Sequence, residues 1–550
     1  MMKKALFLCT ALICLSAFSQ DNAEASFQKG QGLFKAQNYK DAIEEFSKAS
    51  EAPGLAPERK ARIMLSQAEA CRLAADRGRG MQVIAQIEAM PGIPASVVNE
   101  ALLLKVKLLE DIALYGSRDW TGVRKACEGI LRRESLTAEQ RVSVRQRLAD
   151  TLFLHSKDYP AARKLYSEIL ASDTALKGMD PQDVPFTVLA EAAPGSADQQ
   201  TLRFNVMYNI GRCYLFEKNY PAARKIFLNI LNMQGMSEQF RSFARLYIGL
   251  TFFHEKNFAA AKEEFEKVKN TEESSCWRLP WDGGRSSYNP PREAMLRLAF
   301  IDNPPNVKKV LFVGSSSTFR GDVPGTVMRM SESAPPDRIR IVASEYIGMG
   351  TSLARHWEEG GEGPASLLWE IDALPWHAVV CEISYTRAHW PKNTDYVPRM
   401  VERLRARNIL SVIYEIIPFL TDPKQSFDLA DYFNEHLVKV PGGSTALAPG
   451  ARAFIEYLGP NPAKEKLDEL YADKYHASGK GAYLISCCIY AALTGQSPVG
   501  LYHTDCVKPA DAKALQELAW NNYRAMNPFK TPVPQKMKDE KIGGGILAPK

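Results

Sequence analysis

One serine and one aspartate–histidine pair supply the residue types that acyl-transfer chemistry needs. Ser316 follows the apolar run VLFVG (Val310–Gly314), and Asp473 stands three residues before His476 in the segment YADKYHASGKGAYL. A histidine can remove the proton of a serine hydroxyl, while an aspartate fixes the tautomer of that histidine and stabilises its protonated ring. This chemistry occurs in several chain orders, so the order Ser, Asp, His is acceptable. The pattern predicts Ser316 as nucleophile, His476 as base and Asp473 as the acid that orients the base.

Other interpretations of these residues stay open at the level of local sequence. The Ser/Gly turn at Ser316 could simply cap the segment that follows it. A phosphate-binding loop is disfavoured because the lysine and the remaining glycines of a P-loop are absent. No Gly-x-Ser-x-Gly elbow surrounds Ser316, which argues against an ordinary α/β-hydrolase. An aspartate three residues before His476 could arise by chance, although the other seven histidines lack one.

Alternating strands and helices must position these residues in the second half of the chain. This alternation predicts a parallel sheet with helices on both faces, and function gathers at the carboxyl ends of such strands. Ser316 lies directly after the first strand. The predicted strands are Lys309–Val313, Arg338–Ala343, Ala378–Ile383, Leu410–Glu415 and Ser444–Ala448. The predicted helices are Gly325–Ser333, Gly363–Ile371, Tyr396–Arg407, Phe427–Lys439 and Gly479–Thr494.

The first half of the chain repeats a short pattern. Each copy has a polar turn residue, an aromatic residue, a small residue, and a large ring four residues after the small one. Glycine stands twelve residues before the small residue, with Asp150 as the exception. The copies are NYKDAIEEFSKAS (Asn38–Ser50), DYPAARKLYSEIL (Asp158–Leu170), NYPAARKIFLNIL (Asn219–Leu231) and NFAAAKEEFEKVK (Asn257–Lys269). The small residues are Ala42, Ala162, Ala223 and Ala261, the rings Phe46, Tyr166, Phe227 and Phe265, and the glycines Gly30, Gly211 and Gly249.

Small residues at these places let paired helices approach closely, and the ring fills the gap. The pattern resembles the tetratricopeptide repeat, which implies helix pairs that stack into a solenoid because one pair cannot bury its apolar face alone. A plain helical bundle is the alternative, and the recurrence in register disfavours it. Ser172–Gln200, with its prolines and glycine, is interpreted as an insertion. Because solenoids commonly offer a binding surface, a protein partner is expected on the repeat domain.

The patterns divide the chain into five predicted segments. Residues 276–305 are rich in turn residues and prolines and predict a linker with one helix around Arg292–Phe300. The tail beyond Phe529 is rich in Lys, Pro and Gly and is predicted to be disordered. The segments are a signal peptide (1–19), a tetratricopeptide-like repeat domain (20–275), the linker (276–305), an α/β domain (306–505), and a C-terminal helix with the tail (506–550). The predicted fold class is an α-helical solenoid followed by an α/β/α domain with a parallel sheet.

The first residues and the overall composition predict an exported globular protein. Lys3 and Lys4, the apolar run Ala5–Ala17 and the small-x-small site Ala17-Phe18-Ser19 form a signal peptide pattern. Removing it takes the formal charge from +6 to +4, because the segment holds two lysines and no acid. That charge is too small for 550 residues to indicate nucleic acid or a membrane surface as a partner. No later segment resembles a transmembrane helix.

Cysteines and histidines give no metal-binding pattern. Eight cysteines follow the signal peptide without C-x-x-C spacing, and the histidines are scattered, so neither a metal nor a cofactor is expected. Several cysteines lie in apolar helical patterns and are interpreted as buried free thiols. A disulfide between Cys276 and Cys506 stays open for an exported protein.

Three segments resemble sequence blocks of SGNH (GDSL-type) hydrolases. VLFVGSSSTFRGDVPGTV is similar to the first block and places Ser316 on the nucleophile. YIGMGTSLARHWEEG is similar to the second and places Gly350 on the glycine whose N–H helps to bind the oxyanion. DKYHASGKGAYLISCCIYAALTGQSPVG is similar to the last, with Asp473 and His476 as acid and base. The resemblance covers Asn306–Gly500 and implies a flavodoxin-like serine hydrolase domain.

The third block of this family supplies an amide side chain to the oxyanion hole, and HAVVCEISYTRA places Glu382 there. An ionised carboxylate cannot donate a hydrogen bond and would repel the oxyanion, and losing one donor costs about 10²–10³ in rate. Three interpretations stay open. Glu382 could be protonated and donate, another donor such as Ser384 could serve, or Glu382 could face water or pair with Arg387.

The resemblance leads us to expect an exported serine esterase, with the N–H groups of Ser316 and Gly350 binding the oxyanion. Export and family together imply ester substrates such as O-acetyl groups on carbohydrate. The alternative is a non-catalytic repeat scaffold or binding protein with a degenerate hydrolase domain, which Glu382 would fit. Two further residues are weaker candidates: His356, for which core packing is favoured, and Glu415, which could face the cleft.

Overall fold

The computed structural model divides the chain into two compact units, Met1–Pro185 and Phe186–Lys550. The described part is mostly helical, with one five-stranded parallel sheet in the second unit. No helix in this part combines the length and the apolar character needed to cross a membrane. The predicted signal peptide and the tail from residue 528 lie outside the described residues. Those residues are 22–117, 119–172, 199–233, 236–271, 289–348, 351–360, 366–383, 390–415, 417–418, 428, 431–438 and 444–527.

The described residues of the first unit form a run of helices, and from the second helix onward each packs against the next. Short π-helical turns, Ala113–Ser117 and Leu152–Ser156, follow the fifth and seventh helices. The helices are α1 (22–35), α2 (Tyr39–Glu51), α3 (Pro57–Leu73), α4 (Arg77–Glu88), α5 (Ala95–Ile112), α6 (Trp120–Leu131), α7 (Ala138–Thr151) and α8 (Tyr159–Ala171).

Close approach of paired helices explains the repeated glycines and rings. Gly30 of α1 faces Phe46 of α2, and a methyl group on Gly30 would lie only 2.7 Å from the ring. Side chains essentially never pack at such distances, so the position requires glycine. The predicted pairing of glycine and ring is confirmed here. In the second unit, a methyl group on Gly211 would lie 2.6 Å from the ring of Phe227, and one on Gly249 would lie 2.6 Å from that of Phe265.

Asp150, the exception to this pattern, is matched by a change in the ring. The ring residue of that copy is Tyr166, and its hydroxyl donates to Oδ1 of Asp150 within the buried α7–α8 pair. A buried carboxylate costs free energy unless it is hydrogen-bonded, and the phenol supplies the bond. The tyrosine in place of phenylalanine therefore compensates for the lost glycine.

Polar residues that open the copies also begin helices. The side chains of Asp158, Asn219 and Asn257 each accept a hydrogen bond from the backbone N–H three residues later, at 3.2–3.3 Å. Such caps satisfy one of the orphan N–H groups of the first helical turn. In the first copy the amide of Asn38 instead donates to Asp41, at 2.7 Å.

The second unit begins with four helices of the repeat pattern and continues into a fifth that joins them to the sheet. Residues 290–300 of this fifth helix are almost all buried. It packs against the two preceding helices and against the first two strands. The helix that the sequence placed in a linker is thus part of the core. The five helices are α9 (Gln199–Phe216), α10 (Tyr220–Asn232), α11 (Glu238–His254), α12 (Phe258–Lys269) and α13 (Pro290–Asp302).

Five strands form the sheet in the order β2-β1-β3-β4-β5, and every neighbouring pair is parallel. Their residues are almost entirely buried, as expected for strands covered on both faces. All five predicted strands are confirmed, and the first two extend further towards their carboxyl ends. The strands are β1 (Val307–Gly314), β2 (Arg340–Ile347), β3 (Ala378–Ile383), β4 (Leu410–Glu415) and β5 (Thr445–Ala448).

Helices follow the strands, as the alternation predicted, and several were missed. The short helices that begin at residues 316, 353, 450 and 464 have too few turns to give a clear apolar period. A π-helical turn, Asn434–Val438, falls in the predicted helix Phe427–Lys439. The helices are α14 (Ser316–Arg320), α15 (Val323–Ser333), α16 (Leu353–Gly360), α17 (Leu367–Ala373), α18 (Trp390–Arg405), α19 (Gly450–Leu458), α20 (Lys464–Leu470), α21 (Gly479–Thr494) and α22 (Pro509–Met526).

Candidate active site

The candidate nucleophile lies where β1 ends and α14 begins. β1 ends at Gly314, Ser315 caps α14 through its side chain, and Ser316 is the first helical residue. The N–H of a first helical residue has no acceptor inside its own helix. The strand order changes direction between β1 and β3, and such a switch point opens a crevice at the carboxyl ends of the strands. Ser316 is therefore presented at the edge where ligands bind to sheets of this kind.

The side chain of Glu382 fixes this turn through hydrogen bonds. The carboxylate is buried and accepts hydrogen bonds from the N–H of Ser315, at 2.7 Å, and from the Ser315 hydroxyl. It also accepts from the hydroxyls of Thr318, at 2.6 Å, and Tyr414, at 2.8 Å. Burial and the adjacent carboxylate raise the pKa of Tyr414 well above its ordinary value, so the phenol remains a donor. Four donors on one carboxylate make Glu382 the anchor of the nucleophile turn.

His356 holds the same turn through the backbone. The ring is buried, and its Nε2 lies 2.9 Å from the carbonyl oxygen of Gly314. Burial lowers the pKa of His356 to about 4, so the ring is neutral and donates this bond. Gly314 itself leaves no room for a side chain, since a Cβ there would lie 2.7 Å from Oε2 of Glu382. His356 and Glu382 therefore fix the turn from two directions, and His356 packs in the core as favoured above.

The candidate base and acid share one tight loop between α20 and α21. An isolated antiparallel bridge pairs Tyr471 with Ala477, and the N–H of Ala472 donates to the carbonyl of His476, at 2.9 Å. Asp473 is fixed inside this loop, because its Oδ1 accepts from the N–H groups of Tyr475 and His476, each at 2.8 Å. These contacts within the loop fix the position of the Asp473 carboxylate relative to the His476 imidazole, independently of Ser316.

Ser316, His476 and Asp473 form one chain of hydrogen bonds. Nε2 of His476 lies 3.0 Å from Oγ of Ser316, and Nδ1 lies 2.8 Å from Oδ2 of Asp473. Because a carboxylate only accepts, Nδ1 carries the proton and Nε2 is left to accept from the serine hydroxyl. The structure brings together the three side chains singled out from the sequence, in the arrangement that serine hydrolysis requires.

Asp473 is held in its charged form. Desolvation alone would raise its pKa, but the N–H of Tyr475 and the ring of His476 outweigh this, so the pKa of Asp473 is lowered. The guanidinium of Arg320 adds a third contact, with Nη1 3.0 Å from Oδ2 of Asp473. This arginine is the last residue of α14, four residues after Ser316, and nothing in the sequence pattern singled it out.

Of the residues considered for the oxyanion hole, Ser316 and Glu382 belong to the described part of the chain. Gly350 lies outside the described residues, as do Ser384 and Arg387. Glu382 does not take the donor role considered for it, because its oxygens accept from the nucleophile turn. A signal for this role was present in the sequence: a charged residue inside the otherwise apolar strand AVVCEI needs buried donors around it.

Glu415 lies at the end of β4, next to the end of β3, but does not face an open cleft. It is fully buried, and its Oε2 accepts from the N–H of Arg452 near the start of α19, at 3.2 Å. Burial raises the pKa of Glu415 to about 7. The residue therefore caps a helix rather than extending the site.

Metal-binding groups are not found in the described part of the chain. The cysteines described there are free thiols, all buried except Cys506. Burial raises the pKa of Cys71 to about 11 and that of Cys127 and Cys381 to about 12, so these thiols stay protonated. Cys276 lies outside the described residues, so the possible disulfide between Cys276 and Cys506 stays open.

Comparisons with known proteins give structural likeness without sequence support. No protein-family model and no curated protein matches the chain. A candidate SGNH hydrolase from Slackia heliotrinireducens is 21% identical, with a TM-score of 0.27, over 34% of this chain and 100% of that one. The C-terminal part of a TPR repeat-containing protein from Cytophaga hutchinsonii is 15% identical, with a TM-score of 0.33, over 50% and 86%. A DUF4886 family protein from Bacteroides uniformis is 17% identical, with a TM-score of 0.30, over 42% and 100%.

Proposed function

We propose that this protein is a serine ester hydrolase of the SGNH type. One observation carries the proposal: Ser316 Oγ, His476 Nε2 and Nδ1, and Asp473 Oδ2 are joined by contacts of 3.0 and 2.8 Å. A serine hydroxyl is a weak nucleophile unless a base lies within hydrogen-bond reach, and here one does. The strand order and the helices on the sheet support a flavodoxin-like topology for this domain.

In the proposed reaction Ser316 Oγ attacks the ester carbonyl carbon and its proton passes to Nε2 of His476. Collapse of the tetrahedral intermediate breaks the bond to the alcohol, which receives that proton from His476. Water then attacks the acyl-serine, with His476 again taking the proton, and releases the acid and the free serine. Asp473 keeps the ring in the tautomer that both half-reactions need.

The negative charge on the former carbonyl oxygen of the tetrahedral intermediate must be stabilised by hydrogen-bond donors. The N–H of Ser316, at the start of α14, is one proposed donor, and the N–H of Gly350 is the second. The carboxylate of Glu382 serves instead to hold Ser315, and thereby the N–H and hydroxyl of Ser316, in place.

We propose O-acetyl groups on carbohydrate as the substrate class and an exported location for the enzyme. Tyr475 directly precedes His476, and the residue is 60% exposed, compared with 47% for Leu228 and 39% for Leu73, the other exposed large hydrophobic residues in the described part. Aromatic side chains are a residue type against which sugar rings can pack, and Tyr475 stands next to the base in the chain. The repeat helices are proposed to bind a protein partner.

A fluorophosphonate probe tests the nucleophile. We expect a covalent adduct on Ser316 in the mature protein and hydrolysis of p-nitrophenyl acetate and of an acetylated disaccharide. Ser316→Ala should abolish the adduct and the hydrolysis of both substrates. Ser317→Ala, which removes the adjacent hydroxyl, should keep the adduct and most of the activity. Wild type without adduct or hydrolysis would overturn the catalytic proposal and favour a binding protein with a degenerate domain.

A further inference from the structure

We propose that Arg320 is a positioning residue of the site, which ties the acid–base loop to the helix of the nucleophile and extends activity towards acidic pH. The inference rests on the proposed hydrolase function. Arg320 and Ser316 stand four residues apart on α14, so they share one face of that short helix. Asp473 and His476 come from the separate loop after α20. Arg320 is therefore the second link, besides the serine itself, between these two elements.

The guanidinium contacts both members of the acid–base pair. Nη1 of Arg320 lies 3.0 Å from Oδ2 of Asp473 and 3.2 Å from Nδ1 of His476. Because Nδ1 donates its proton to Asp473, it cannot also accept from the arginine. The contact with Asp473 is an ion pair, whereas the contact with the ring places a fixed positive charge beside a group that becomes positive during the reaction.

The charges around the ring set the direction of the effect. Among the described residues, Asp473 and Arg320 are the charged groups within hydrogen-bond distance of the His476 ring. Asp473 favours the imidazolium, and Arg320 opposes it and also shares the negative charge of Asp473. Both actions of Arg320 disfavour a positive charge on the ring, and only the neutral ring can accept the proton of Ser316. Loss of the Arg320 charge is therefore expected to reduce activity most at acidic pH.

Exposure limits any contribution to folding. The side chains of Arg320 and Asp473 are 48% and 42% exposed. Ion pairs this exposed contribute little to stability. The place of the pair, touching the imidazole, therefore points to the chemistry of the site.

The test measures kcat/KM against pH for p-nitrophenyl acetate, with product read at its isosbestic wavelength. This substrate is uncharged, so a charge contact between Arg320 and the substrate cannot contribute. We expect Arg320→Gln to move the midpoint of the acid limb upward by about half a pH unit, since a single exposed charge acts through a high effective dielectric. The loss should be several-fold at the acid end and smaller at the alkaline plateau.

Two variants separate charge from shape. Arg320→Lys keeps the positive charge but loses the planar guanidinium. The midpoint of its acid limb should lie close to that of wild type. Arg405→Gln removes another exposed arginine, from α18, and should leave the profile unchanged. The melting temperature of Arg320→Gln should stay within about 2 °C of wild type, as for other surface substitutions.

Several outcomes overturn the inference. Superimposable acid limbs for wild type and Arg320→Gln would remove the proposed role, as would an Arg320→Lys profile identical to that of Arg320→Gln. A uniform loss at every pH would reduce Arg320 to a structural contact. Absence of hydrolysis and of a fluorophosphonate adduct in wild type is a separate result, which removes the proposed function and this inference with it.

Discussion

Glu382 supports the turn that carries the candidate nucleophile Ser316. Its two oxygens receive donors from Ser315, Thr318 and Tyr414, so the carboxylate cannot turn towards a substrate oxygen without leaving buried hydroxyls unpaired. An amide at this position would offer one acceptor oxygen in place of two. The network thus depends on a carboxylate.

Replacement of Glu382 by glutamine is expected to lower activity rather than restore a missing donor. The amide nitrogen would face a donor from the turn, and buried hydrogen bonds to a charged group contribute about 1.5–3 kcal/mol each. We expect Glu382→Gln to lose about 1–3 kcal/mol of stability and at least about tenfold in kcat/KM, measured by chemical denaturation and with p-nitrophenyl acetate.

The exposed acid Glu402→Gln on α18 is the matched control and should behave as wild type. If Glu382→Gln were more active than wild type, the anchoring role would be wrong and a degenerate oxyanion hole would be the better interpretation.

At this scale the sequence predicted which side chains meet, and the structure added what holds them. Ser316, Asp473 and His476 were recognisable from their residue types, from the place of the serine after the first strand and from the Asp-x-x-His spacing. The supporting contacts of His356 and Arg320 were not, because they depend on which turn of a helix faces a neighbouring loop. Such contacts are set by tertiary packing and produce no periodic pattern in the sequence.

Among the elements, the repeat helices were the easiest to predict. The recurrence of Gly30, Gly211 and Gly249 opposite a ring reflects one physical constraint repeated in several copies. By contrast, α14, α19 and α20 were missed because helices of five to nine residues give no clear apolar period. The burial of α13 was missed as well, since its Pro-rich start is typical of a linker.

Two glycines of the same helix provide a matched test of the helix pairing. A methyl group on Gly30 would lie 2.7 Å from the ring of Phe46, whereas one on Gly32 meets nothing within 4 Å. We expect Gly30→Ala to cost about 1–3 kcal/mol through overpacking. Gly32→Ala should be neutral or stabilise by up to about 1 kcal/mol, because alanine suits a helix better than glycine.

Thermal unfolding followed by circular dichroism measures both variants. Adding Phe46→Leu to Gly30→Ala should recover part of the loss, because the smaller side chain makes room for the methyl group. Equal effects of the two glycine substitutions would contradict the close approach of α1 and α2.

Glu415, at the junction of β4 with α19, is expected to lower the free energy of unfolding in a pH-dependent way. Burial raises the pKa of Glu415 from 4.5 to about 7, and its Oε1 has no hydrogen-bond partner in the described part of the chain. Below about pH 4.5 the carboxyl is protonated in folded and unfolded chains alike. Between pH 4.5 and 7 only the unfolded chain releases the proton, so stability falls as pH rises, by about 3 kcal/mol at most.

Glu415→Gln should therefore stabilise the protein at pH 8 and change little at pH 4.5, because glutamine resembles the protonated acid. Denaturation at both pH values checks this, with the exposed Glu465→Gln of α20 as control. A stability difference that is the same at both pH values would show that folding does not raise the pKa of Glu415.

For the molecule as a whole, the second unit combines repeat helices and sheet in one compact body. α13 makes the connection: it packs on α11 and α12 and also on β1 and β2. Charged residues help to fix its position, since both Nη groups of Arg292 donate to Asp322, which directly precedes α15, at 2.6 and 2.7 Å. Ser344 of β2 donates to Glu293 of the same helix, at 2.8 Å. The exposed pair Lys262–Asp302 joins α12 to α13 at 2.8 Å.

The two ion pairs of α13, Arg292–Asp322 and Lys262–Asp302, are expected to contribute differently to stability. Arg292 is 8% exposed, and its loss would remove the two hydrogen bonds that its guanidinium donates to Asp322, so Arg292→Gln should cost about 3 kcal/mol. Lys262→Gln, at a pair whose side chains are each 44% exposed, should cost at most about 1 kcal/mol. Because α13 contacts both sides, Arg292→Gln should speed amide hydrogen exchange in α11 and α12 together with β1 and β2. Faster exchange confined to the strands would show that the repeat helices and the sheet unfold independently, and that α13 belongs energetically to only one of them.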